Sequence, residues 1–185
     1  CAVDPLVREV TARRYRQALS AARQLGIRRL VIHSGYIPLV YFPEWFTEQS
    51  VAFWREFLPE VPEDMVLALE NVMDETPQLM TDIVRQVDDP RLGLCLDVGH
   101  ANTCASRTPP MEWIAPMAPY LRHVHLHNNL GDWDLHSNLG EGSIPMQQIL
   151  AALLEQCPEA TWTIENQDCA PSLAWLAQQG YLSEE

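Results

Sequence analysis

Short, near-continuous apolar runs alternate along this chain with longer segments whose apolar residues recur at helical spacing. The first long segment, residues 6–25 (LVREVTARRYRQALSAARQL), is helix-forming, and Gly26 supplies a C-cap. RRLVIH then reads as a short buried strand ending at His33. A loop rich in proline and aromatic residues (GYIPLVYFPEWF) leads to a helix over 48–58. MVLALEN is a strand ending at Glu70, a helix covers 76–87, and RLGLCLDVGH is a strand ending at Asp97. The proline-opened helix PPMEWIAPMAPYL precedes a strand carrying HVHLH. IPMQQILAALLEQC forms a further helix, TWTIEN a strand ending at Glu165, and SLAWLAQQG a closing helix with Ser172 as its N-cap.

Strands this rich in Val, Ile and Leu belong to a parallel sheet covered by helices, and their alternation with helices predicts an α/β fold. The strands end on His33, Glu70, Asp97, His125 and Glu165, at separations of 37, 27, 28 and 40 residues. A (β/α)8 TIM barrel of about 250 residues averages about 31 per unit. The longest gap therefore predicts two units, with a short strand near residues 134–139. The count is six units in one domain over residues 1–185, taken as strands three to eight of a barrel that lacks about its first two βα units. Such a barrel has two raw edges, which predicts a homo-oligomer or a partner segment that completes it. The start at CAVDP, without methionine, suggests a processed or truncated beginning.

Composition narrows the chemistry. With 185 residues and 47% apolar content the chain can bury a real core. Its formal net charge is −13, and every one of its 12 basic residues is arginine. Lysine Schiff-base chemistry and a lysine proton shuttle are thereby excluded within the chain. The acidity disfavours a nucleic-acid partner, although bound cations would reverse the local sign. Arg8, Arg13, Arg14 and Arg16 read as one solvated helical face. No apolar run approaches the roughly 18 residues needed to span a bilayer, and nothing resembles a signal peptide. The five cysteines (Cys1, Cys95, Cys104, Cys157, Cys169) show no C-x-x-C pairing, so free thiols in a reducing, cytoplasmic setting are expected.

The segment His123–Gly142, HVHLHNNLGDWDLHSNLGEG, holds four of the six histidines. On a strand His123, His125 and His127 share one face, while Val124 and Leu126 pack the other. Polar ends of several parallel strands converge on one mouth, where barrel enzymes place their chemistry. Imidazole with carboxylate and no thiolate suits Zn²⁺, Mn²⁺ or Co²⁺. Taken singly, His33 reads as a structural histidine, Glu70 and Glu165 as capping or ion-paired acids, and Asp97 and His100 as helix-capping groups. His123 reads as a core residue, His127 as a rim residue touching substrate or solvent, and Gly140–Gly142 as a tight turn. Such readings at all the strand ends together are hard to sustain, and a metal site is the expectation.

VIHSGY, LALENV, LCLDVGHAN, HVHLHNN…DWDLHSNLGEG and TWTIEN, in that order, resemble the xylose isomerase-like barrel superfamily. That group contains sugar and sugar-phosphate isomerases and epimerases and the endonuclease IV class of abasic-site nucleases. In the epimerase branch the resemblance implies one divalent ion (Zn, Mn, Co or Mg) held by Glu70, Asp97, His125 and Glu165, with His100 meeting substrate. In the nuclease branch it implies up to three ions, with His33, His100, Asp134 and His136 added as ligands. One departure is Asn128, where the family usually has aspartate, which would alter hydrogen bonding or charge around the ligands.

The expected activity is that of a metal-dependent isomerase or epimerase acting on a small sugar-like substrate. Glu70 and Glu165 would move the proton across a metal-stabilised enediolate, while His100 and His127 would contact substrate. Trp45 and Trp133 read either as closing over the apolar face of a sugar or as loop packing. An abasic-site nuclease and a non-catalytic barrel remnant are the alternatives.

Overall fold

The computed structural model describes residues 2–182. Helix α1 (Pro5–Leu25) opens on Asp4, whose carboxylate accepts the Leu6 N–H at 2.8 Å, and closes on Gly26 at φ 69. Both caps satisfy backbone groups that a helix end leaves bare. Strand β1 (Arg29–His33) follows, then α2 (Pro43–Phe57), β2 (Val66–Glu70), α3 (Gln78–Val87) and β3 (Leu92–Asp97). Helix α4 (Pro110–Met117) leads to β4 (Leu121–Leu126), α5 (Met146–Gln156), β5 (Thr161–Ile164) and α6 (Ala170–Gln178).

The five strands pair in sequence order, all parallel, into a curled half-barrel with helices outside it. Every residue of β3 is buried, as its continuous apolar run requires of a central parallel strand. The curl brings the outer strands within reach of each other, because the Arg29 guanidinium at the start of β1 donates to the Thr161 hydroxyl at the start of β5. Outside the sheet, Tyr15 of α1 stacks on Trp54 of α2, with ring centroids 5.8 Å apart. The core clusters around Phe46, Leu67, Leu69, Met80, Leu94, Leu96, Trp113 and Ile114.

Three local expectations are corrected. Helix α2 begins at Pro43, five residues before the expected start, because proline's fixed φ suits a first helical turn. Ser172 does not cap α6, which starts two residues earlier. Its buried hydroxyl instead accepts the Leu139 N–H at 3.1 Å and donates to Asn166. The strand expected near 134–139 does not form. The chain doubles back through an antiparallel bridge between Asn128 and Ser137, with N···O distances of 2.9 and 2.8 Å. The long gap is therefore one βα unit with an elaborate loop, and the described residues contain five strands, not six.

The cysteines Cys95, Cys104, Cys157 and Cys169 are free, as expected, while Cys1 lies outside the described residues. Among the described residues no helix is long and apolar enough to cross a membrane.

Candidate metal centre

Parallel register sets the polar strand ends at one level. His33 pairs with Glu70 and Asp97 with His125, while the Glu165 N–H continues the β4–β5 ladder by donating to the Leu126 carbonyl. Glu70, Asp97, His125 and Glu165 each offer a ligand atom, and these four atoms lie within 4.8 Å of one another. His125 is the hub. Its Nδ1 donates to Glu70 Oε1 at 2.7 Å and stands 3.3 Å from Glu165 Oε1 and 3.8 Å from Asp97 Oδ2. Glu70, Asp97 and His125 are buried, and Glu165 keeps about a third of its side chain exposed.

The surrounding carboxylates favour positive charge at this point. Burial disfavours the charged His125 ring, yet the Glu70 hydrogen bond and the Glu70, Glu165 and Asp97 charges outweigh it and raise the pKa. Burial likewise works against ionised Asp97, but the hydrogen bond from His127 and the charges of His127 and His100 hold its pKa below the usual value. Three carboxylates around one imidazole, with no ion pair to arginine among the described residues, fit a divalent ion with oxygen and nitrogen ligands. Asn71 fixes the frame. Its side-chain amide donates to the Asp97 carbonyl at 2.9 Å and accepts the Asp97 N–H at 2.8 Å.

Cys95 lies beside this centre, in a converging group with Glu70 and His125. Burial and the charges of Glu70, Asp97 and Glu165 push its thiol far above its ordinary pKa, so the sulfur stays protonated. The sequence held the signal, since residues 95 and 97 share a strand face. His123 sits deeper, each ring nitrogen against a threonine hydroxyl (Thr161 at 2.7 Å, Thr163 at 3.0 Å). Burial, the His125 charge and Arg29 push its pKa down to about 4, which suits its expected core role.

A second group of four, His100, His127, Asp134 and His136, also brings its ligand atoms within 4.8 Å of one another. Asp134 Oδ2 lies 3.2 Å from His100 Nε2 and 3.1 Å from His136 Nε2. The other nitrogens of these two rings bond backbone carbonyls, His100 to Asn71 at 2.7 Å and His136 to Glu165 at 2.6 Å. Burial opposes charge on His136, but the Glu165 carbonyl and Asp134 raise its pKa. His33 joins neither group. Its side chain is 71% exposed, and its Nε2 stands 3.5 Å from Glu70 Oε2.

Two expectations for this region change. His127 does not sit at the rim but is fully buried, with Nε2 2.9 Å from Asp97 Oδ1. Its burial comes from the loop folding back over the end of β4, which periodicity along the strand does not encode. Trp45 is stacked on Tyr41 and partly buried, while Trp133 is 71% exposed on the loop that carries Asp134.

Residues 1–179 match the xylose isomerase-like TIM barrel family. The chain belongs to that family. Among solved structures, this barrel superposes on a D-tagatose 3-epimerase-like protein with a TM-score of 0.77 and 28% identity, covering 97% of this chain and 71% of that one. It superposes on the TTHB071 protein of Thermus thermophilus, in a crystal soaked with ZnCl2, with a TM-score of 0.76 and 32% identity over 99% and 74% of the two chains. Its curated relatives include the uncharacterised protein MJ1311 of Methanocaldococcus jannaschii, 31% identical over 88% of this chain and 58% of that protein. A probable endonuclease 4 of Mesomycoplasma hyopneumoniae is 24% identical over 68% of this chain and 50% of its own length. This xylose isomerase-like chain thus spans between half and three-fifths of the length of these curated relatives.

Proposed function

We propose that this chain carries the centre of a divalent-metal-dependent isomerase or epimerase acting on a sugar or a related hydroxy-carbonyl compound. The observation that carries the reading is the convergence of Glu70 from β2 and Glu165 from β5 on His125 and Asp97. The likeness to a D-tagatose 3-epimerase-like protein supports the substrate class.

A divalent ion held by Glu70, Asp97, His125 and Glu165 would polarise a substrate carbonyl and offset the negative charge that grows on its oxygen. The two glutamates enter from strands on opposite sides of β3 and β4. One removes the proton from the carbon beside the carbonyl and the other returns one to the product from its own side. His100, held by the Asn71 carbonyl, points its Nε2 toward Asp134 and is placed to orient a substrate hydroxyl. Glu165→Gln removes one acid–base group while keeping the side chain's size. It is expected to lower turnover of the ketose substrate by roughly 10²–10⁴-fold with the fold intact. Unchanged turnover would remove Glu165 from this role.

A metal-dependent abasic-site nuclease is the second reading. The second group of ligands at His100, His127, Asp134 and His136 and the likeness to a probable endonuclease 4 favour it. The net charge of −13 and the absence of lysine weigh against a groove that follows a phosphate backbone. Incubation with a duplex containing one abasic site separates the two readings, because prompt incision would reverse their order.

A further inference from the structure

Asp97 is the most buried carboxylate of the centre, and the direction its two oxygens take depends on what holds it. Oδ1 accepts the His100 N–H at 2.7 Å and lies 2.9 Å from His127 Nε2. Oδ2 is the oxygen turned toward His125, 3.8 Å from its Nδ1, and it lies 3.2 Å from His127 Nε2, farther than Oδ1 does. A carboxylate only accepts, so His127 Nε2 carries a proton and donates it to Asp97. Among the described residues Nδ1 has no hydrogen-bond partner. This fully buried ring therefore makes its one side-chain hydrogen-bonding interaction with a ligand of the centre.

The ring has almost no freedom to do anything else. Its face lies against the His136 ring, centroids 4.0 Å apart and planes within 10°, and its edge meets His100 at 5.8 Å. On the remaining side it presses into Gly99, where an added Cβ would stand 1.8 Å from Cε1. The Gly99 carbonyl is pinned in turn by the Asn129 side chain at 2.8 Å. Gly99 has φ −69, so glycine is there for space and not for backbone freedom.

We propose that His127 is the positioning residue of the centre, holding Asp97 through its buried Nε2–H so that Oδ2 is presented to the ion. This assignment rests on the metal-centre reading above and adds a residue that stands outside the four ligands of that centre. Partners of this kind set the orientation of ligating carboxylates, and their loss typically weakens metal binding roughly 10–100-fold.

Three substitutions in the full chain separate donation from filling of space. His127→Phe keeps a ring and loses the donor. His127→Asn places its amide nitrogen near the Nδ1 position, away from Asp97. His127→Gln places an N–H donor near the Nε2 position. Zn²⁺ affinity is read by competition with a chromophoric chelator, alongside thermal unfolding of the metal-free proteins. The Phe and Asn variants are expected to lose roughly 10–100-fold in affinity, and Gln to stay within about threefold of the parent. Gly99→Ala, on a backbone that suits alanine, should displace the ring and match the loss in the Phe variant. If His127→Phe does not fold, His127→Asn and Gly99→Ala carry the same comparison.

Parent-like affinity in the Phe and Asn variants would overturn the assignment, as would a Gln variant as weak as Phe. A parent that binds no Zn²⁺ would instead bring down the metal-centre reading, and this assignment with it.

Discussion

Asp74 is buried without full compensation. It is 3% exposed; its Oδ2 accepts from the Ser34 hydroxyl at 2.7 Å and the Val72 N–H at 3.2 Å, while Oδ1 has no partner among the described residues. Burial pushes its pKa up to about 6 from an ordinary 3.8. A folded-state value above the unfolded one means that Asp74's contribution to stability is complete below about pH 4. That contribution is lost as pH rises through about 6, and about two pKa units correspond to about 3 kcal/mol at most. Asp74→Asn should therefore flatten the stability profile across pH 4–7 and raise stability above pH 7 by about 1–3 kcal/mol. Urea unfolding of both proteins across that range checks it, and parallel profiles would refute it. At this scale the convergence of Glu70, Asp97, His125 and Glu165 was legible, because all four lie at or beside the ends of the segments that read as parallel strands. The surroundings of His127, Cys95 and Ser172 were not, because each depends on a segment distant in sequence folding over it.

The loop between β4 and α5 is the element in which sequence and structure part most clearly. The alternation in DWDLHSNL and a 40-residue interval together look like another strand. The chain instead folds back on Asn128, whose side chain satisfies several loop groups at once. Nδ2 donates to the Leu139 carbonyl at 2.9 Å, while Oδ1 accepts the Asn129 N–H at 2.9 Å and the Ile144 N–H at 3.1 Å. An aspartate at this place has no donor for the Leu139 carbonyl, so the Asn128 amide nitrogen is one of the groups that fasten this loop. Asn128→Asp should cost roughly 1–3 kcal/mol in chemical unfolding, because it sets a carboxylate oxygen against a buried carbonyl. Equal stability would show that the loop is held by other contacts. Gly142 belongs to the same fastening, since a Cβ there would stand 2.1 Å from Asn128 Oδ1. The parallel sheet, in contrast, was readable from the near-continuous apolar runs and their alternation with helices.

For the molecule as a whole, the curled sheet leaves β1 and β5 each with one neighbour among the described residues. Open edges of this kind invite further pairing, and an apolar groove of about 360 Å³ runs along β1 between Tyr15, Leu30, Ile32 and Leu67. We propose that these edges are covered by a second copy in solution. Light scattering on the isolated chain should then return a mass above 21.0 kDa, whereas a dispersed monomer of that mass would reject the pairing. The sequence could predict exposed edges but not what meets them, since that depends on a surface beyond the chain's own contacts.

The claim on which the rest depends is that Glu70, Asp97, His125 and Glu165 hold a divalent ion. Elemental analysis after loading with Zn²⁺ or Mn²⁺ and exhaustive dialysis tests it most directly, with His125→Ala measured beside the parent. About one ion per chain in the parent, lost in His125→Ala, is the expected result for the epimerase-type centre, and two or three would favour the nuclease reading. Fewer than about 0.2 ions per chain in the loaded parent would contradict both.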